Sequence, residues 1–154
     1  MAVVRSILRL TAQDVVVKIQ GTAAANTINL NDADIIPTTQ TTDGATQTVN
    51  IVGLVWTGAA NGIVTITRNS VVIYTLQANA AGFLDFSGQG MVPDTVNNTY
   101  PVVITMSGAQ AECWIRLRKV AGYKTLYEPA TYGSYDDITR FGASETVSGS
   151  PDKV

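Results

Sequence analysis

From Glu112 to Arg118 the chain alternates without a break. Cys113, Ile115 and Leu117 fall on one side, and Glu112, Trp114, Arg116 and Arg118 on the other. Side chains of an extended strand point to opposite faces with period two, so this run predicts a strand with one buried and one solvated face, in a fixed register. Trp114 stands on the polar side, where an amphipathic indole more often covers a neighbouring element than stands free.

Once one such strand is granted, the rest of the chain supplies its partners. QTVNIVGLVWT, GIVTIT, SVVIYTLQ, GFLDFSG and YPVVITMSG are short runs rich in Val, Ile, Thr and aromatics, parted by Gly and Asn clusters. Their spacing of about 8–12 residues is that of a sandwich or barrel. GIVTIT and SVVIYTLQ flank Arg68-Asn69, a short turn that predicts an antiparallel hairpin. SILRLT, DVVVKIQG and NTINLN alternate as well, and the Asp- and Thr-rich stretch from Asn31 to Gln47 reads as an extended loop. The total of about eight strands predicts a mostly β, antiparallel β-sandwich, jelly-roll-like in kind.

After Gly122 the period is lost. Tyr123, Tyr127, Tyr132, Tyr135 and Phe141 follow at irregular spacing among glycines and Pro129, and the chain closes on a small, polar stretch. The organisation expected is a sandwich over 1–121 and an extended C-terminal arm over 122–154, flexible at its end. Tyrosine offers large apolar area and a hydroxyl at little rotamer cost. The arm is therefore expected to order against a neighbouring copy or another protein rather than its own core.

The residue inventory excludes much chemistry. With no histidine, the Ser-His-Asp and Cys-His nucleophile systems and most zinc sites are absent. Asp85, Asp94, Asp136 and Asp137 are available carboxylates, but no spacing singles out a glycosidase pair, and no calcium-loop pattern surrounds Asp136-Asp137. Asp94-Thr95 with Asn97-Asn98 reads as turn chemistry, and Asn97-Asn98-Thr99 matches a glycosylation sequon without a secretory signal. Gly88-Gln89-Gly90 lacks the strand-to-helix setting of a dinucleotide loop. Cys113 sits on the apolar side of its strand, where a thiol packs rather than reacts. The chain is thus expected to be no enzyme and to need no cofactor or metal.

Ten Lys plus Arg against twelve Asp plus Glu leave no basic stripe, so no nucleic-acid partner is expected. Arg5 and Arg9 interrupt the apolar N-terminus, so neither membrane nor signal peptide is expected, and synthesis in a host cytoplasm fits. The densest positive charge is Arg116, Arg118 and Lys119 on the last strand, a candidate for docking on an acidic protein surface.

VVRSILRLT followed by VVVKIQGTA, DGATQTVNIVGLVWTG, and ECWIRLRKVAGYKTLYEPATYGSYDDIT together resemble small virion structural proteins of tailed phages that infect marine cyanobacteria. The likeness spans roughly residues 1–140. It implies a decoration (cement) protein on the outer capsid surface of the virion, with the major capsid protein and copies of itself as partners, as a homotrimer. The interface residues expected on these combined grounds are Trp114, Arg116, Arg118, Lys119, Tyr123, Tyr127, Tyr132, Tyr135 and Phe141. The alternative is a head-fibre, neck or tail-associated protein, or a carbohydrate-binding module stacking sugars on Trp56, Trp114 or the tyrosines.

Overall fold

The computed structural model describes residues 3–86 and 94–126. Two antiparallel sheets face each other, in the jelly-roll-like sandwich expected. The first contains β1 (Val4–Leu10), β2 (Asp14–Gly21), β5 (Thr48–Gly58), β8 (Gly82–Asp85) and β10 (Ala111–Ala121), in the order β1-β2-β10-β5-β8. The second contains β3 (Ala24–Ile28), β6 (Ile63–Arg68), β7 (Val71–Gln77) and β9 (Val102–Ser107), in the order β3-β9-β6-β7. A two-stranded ribbon joins β4 (Gln40–Thr42) to β11 (Tyr123–Thr125).

Alternation places the core as expected. Val15, Val17 and Ile19 of β2 and Cys113, Ile115 and Leu117 of β10 point inward and meet Val64 and Ile66 of β6 and Ile104 and Met106 of β9. Burial pushes the Cys113 thiol up to about 12, with the Glu112 charge adding to it, so the sulfur is a packed apolar group. Outer residues of the same strands stay wet.

Three local readings differ from expectation. The β6–β7 turn is Asn69-Ser70, both at positive φ (52° and 59°), one residue later than the alternation suggested. Asn and Ser tolerate the left-handed conformation that tight hairpins require, and Arg68 is held inside instead. The stretch 31–47 is not merely a loop: a 3₁₀ turn over Ala33–Ile35 buries Ile35, and β4 follows. The sandwich also does not end at 121, because Tyr123, Lys124 and Thr125 pair with Thr42, Thr41 and Gln40.

Among the described residues Arg68 is the largest fully buried side chain. Its guanidinium donates to Val49 O at 2.7 Å, to Asn98 O at 3.0 Å and to Tyr100 O at 2.7 and 3.0 Å. Burial draws its pKa down to about 10, and the Asp94 charge offsets this in part. Planar, forked donors suit three backbone carbonyls converging from two segments, so this residue ties the hairpin to β5 and to the turn before β9. Asp94 acts as turn chemistry here, accepting from Val96 N at 2.9 Å and Asn97 Nδ2 at 2.9 Å.

Candidate functional site

A bulge in β5 helps to form an apolar depression on the outside of the larger sheet. Opposite β10, Arg116 faces Gly53 and Leu117 faces Ile51, so Val52 is an extra residue. The insertion flips the period: Ile51, Leu54 and Trp56 all turn inward, while Gly53 and Val55 turn outward. Without it, strict alternation would bury Val55 and expose Leu54.

Two cross-strand rows then form the outer surface. One runs Lys18, Trp114, Val55, Phe83 and the other Val16, Arg116, Gly53, Asp85. Gly53 has no side chain, so it leaves a gap in the second row that forms the floor of a depression. The resulting depression of about 280 Å³ is lined by Val16, Val52, Val55, Phe83, Leu84 and Trp114, with Arg116 and Asp85 at its rim. Phe83 is 68% exposed, Val55 44% and Trp114 40%. Three large apolar side chains so exposed on adjacent strands form a contiguous patch, which marks an interaction surface more often than scattered singles do.

The rim is electrostatically ordered. Arg116 NH2 lies 3.2 Å and Arg118 Nε 3.4 Å from the two oxygens of Asp14. Burial pushes the Asp14 carboxyl up, but the two guanidiniums outweigh this and hold it below its ordinary range. Trp114 Nε1 donates to Glu112 Oε2 at 2.7 Å, and Lys18 Nζ stands 3.9 Å from the same carboxylate. This bond restrains the indole, whose side chain lines the depression.

The expected interface residues are divided by this geometry. Trp114 and Arg116 meet at the depression, and Arg118 lies beside them on the same face. Lys119 does not belong to that basic row. It follows Arg118 by one residue and so points inward, where it is buried and donates to Gln40 Oε1 at 2.6 Å and Thr11 O at 3.3 Å. Burial draws its pKa down to about 8. Tyr123 likewise serves its own sandwich: its ring packs on the core, lies 5.2 Å from Lys119 Nζ, and its hydroxyl donates to Leu30 O. Burial pushes that hydroxyl up to about 12, against the lowering charge of Arg68. Tyr127, Tyr132, Tyr135 and Phe141 lie outside the described residues, as do Gly88-Gln89-Gly90, Asp136 and Asp137.

No protein-family model matches the chain. None of the curated proteins matches it either. Among solved structures it is similar to an uncharacterized conserved protein with a double-stranded β-helix domain from Klebsiella pneumoniae. That protein is 13% identical over 82% of this chain and 85% of the other, with a TM-score of 0.31, a likeness too distant to transfer any chemistry.

The sequence reading missed Val52, Gly53, Val55 and Phe83. The signal was present in Ile51-Val52-Gly53-Leu54-Val55-Trp56, where an unbroken apolar run with a central glycine violates strand alternation, as bulges do. Trp56, a sugar-stacking candidate, faces the core beside Gly82, where a Cβ would meet its ring at 2.9 Å. Among the described residues no cluster of His, Cys, Asp and Glu is placed to hold a metal ion, and no helix is long and apolar enough to cross a membrane.

Proposed function

We propose that this chain is a capsid decoration (cement) protein of a tailed phage, docking on the outer surface of the assembled head through the β2-β10-β5-β8 face. The observation that supports docking is the Trp114, Val55, Phe83 patch with its bare Gly53 floor, set within a rim of charges already paired. An apolar centre surrounded by ordered polar groups is the anatomy of a protein interface, with aromatic side chains as anchors. The resemblance to cyanophage virion proteins supports the choice of partner, the major capsid protein.

A protein that binds only the assembled shell stabilises it by mass action, and several copies bound together multiply the effect. Since β11 is part of the folded body, the truncation that isolates the C-terminal arm falls after Leu126 rather than after Ala121.

The test is re-addition of purified protein to heads stripped of it, with copy number and rupture temperature read together. The proposal expects hundreds of copies per head and a raised rupture temperature, both lost in the Phe83→Ala, Trp114→Ala double variant. A few copies per particle would indicate a neck, fibre or tail component. Binding to glycans instead of heads, abolished by Trp114→Ala, would indicate a carbohydrate-binding module.

A further inference from the structure

Charge is distributed between the two sheets with marked inequality. The larger sheet carries Arg5, Arg9, Asp14, Lys18, Asp85, Glu112, Arg116, Arg118 and Lys119 on its strands. The smaller sheet carries one charged residue, Arg68, and that one is buried. Its outer face consists of the rows Thr27, Val103, Thr67, Val72 and Ala25, Thr105, Thr65, Thr75.

The strand edges differ in the same way. A sheet edge presents unpaired N–H and C=O groups, and proteins guard it with charge, bulges, brevity or a covering group. β1 carries Arg5 and Arg9 and a register shift between Ile7 and Arg9. β3 is crossed by Arg5, which donates to Asn26 Oδ1 at 3.0 Å and to Thr27 O. β8 has four residues, and the ribbon strands three each. β7 has seven, VVIYTLQ, with no charge and no proline, and Val71 and Val72 are 46% and 57% exposed. Among the described residues its far side pairs with no strand, and its one irregularity is the shift at Ile73.

We propose that β7 is the self-association edge of this protein. It pairs antiparallel with β7 of a second copy about a twofold axis and joins two four-stranded sheets into one of eight. The second copy is the occupant that the chemistry selects. An uncharged edge meets itself without like-charge repulsion, whereas a charged partner would leave its own groups unmatched. Residues directly opposite in an antiparallel pair share a face, so the axis passes midway between the two copies of one residue. The shift at Ile73 leaves Tyr74–Gln77 as the regular run, and centring on Thr75 sets Tyr74 against Leu76 and Ile73 against Gln77. The unit is then a pair, in place of the trimer expected from the resemblance. This inference stands apart from the capsid reading, since it concerns the free protein.

Sedimentation velocity of the full chain at micromolar concentration should give a species of twice the 16.3 kDa chain mass. Thr75→Lys, an exposed substitution at the axis, should shift it to the chain mass with an unchanged circular dichroism spectrum. Thr105→Lys, in mid-face, should leave the dimer intact. Thr75→Cys supplies a positive readout that needs no loss of binding. At the axis the two Cα atoms lie about 4.5–5.5 Å apart, within disulfide reach, so oxidation should link the pair and reductant release it. A wild-type chain that sediments as a monomer would overturn the proposal. So would a dimer that survives Thr75→Lys and does not cross-link through Thr75→Cys, or one that Thr105→Lys dissociates equally, which would mean face-to-face packing.

Discussion

Replacing Arg68 by methionine isolates what a buried arginine hydrogen-bonded to backbone carbonyls contributes to this sandwich. The side chain makes four hydrogen bonds to Val49 O, Asn98 O and Tyr100 O. Charged hydrogen bonds are worth roughly 1.5–3 kcal/mol each, but that sum is an upper bound, because holding a guanidinium out of water is costly. The fall of its pKa to about 10 registers that cost. Methionine removes both the bonds and the desolvation, and leaves three carbonyls to find new donors. Asn98 O retains one, from Val49 N at 3.0 Å. The net destabilisation expected is about 2–4 kcal/mol, a fall in Tm of roughly 5–15 °C for a domain of this size. Urea unfolding should show a lowered midpoint at unchanged slope. Hydrogen exchange should accelerate first at 97–100, where the carbonyl anchors are lost. Arg68→Lys should recover only part of the stability, since one ammonium cannot span three carbonyls. A loss below about 0.5 kcal/mol for Arg68→Met, within the range of an ordinary surface change, would refute the reasoning.

Phe83→Ala should leave Tm nearly unchanged while weakening head binding about 10–100-fold, since burying most of one exposed aromatic at about 25 cal/mol/Å² is worth roughly 2–3 kcal/mol; titration of stripped heads reads it. Gly53→Ala should fold, because the added Cβ meets Arg116 Cβ at 3.4 Å, an ordinary contact, yet it raises the groove floor and should also weaken binding. For Lys119 the folded pKa of about 8 lies below the ordinary 10.5, so the unfolded chain binds more protons between these values and stability rises with pH. Relative to Lys119→Met, wild type should gain at most about 1.3 kcal/mol from pH 7 to 9, and less after solvent screening; a difference that falls or stays flat would contradict the burial of this amine. Gly108→Ala should cost about 2 kcal/mol or more in urea unfolding, because φ is +81° and the new Cβ would overlap the Asn61 carbonyl oxygen.

Alternation alone determined that this chain is a β-sandwich and which side of β2 and β10 forms its core, because a period of two leaves each side chain no choice of face once its strand is extended. It likewise assigned Cys113 to packing and Asp94 to a turn, both matters of local geometry. The folded structure decided what depends on a neighbour across the sheet. The bulge at Val52 is a mismatch between two strands some sixty residues apart in sequence, and only in that pairing do Gly53, Val55, Phe83 and Trp114 become one surface. Lys119 reads as a surface cation until its strand position turns it inward onto Gln40. Tyr123 reads as the start of an arm until β4 pairs with it. Arg68 carries no sign of its burial at all, since the three carbonyls that hold it come from segments that converge only when the sheets close.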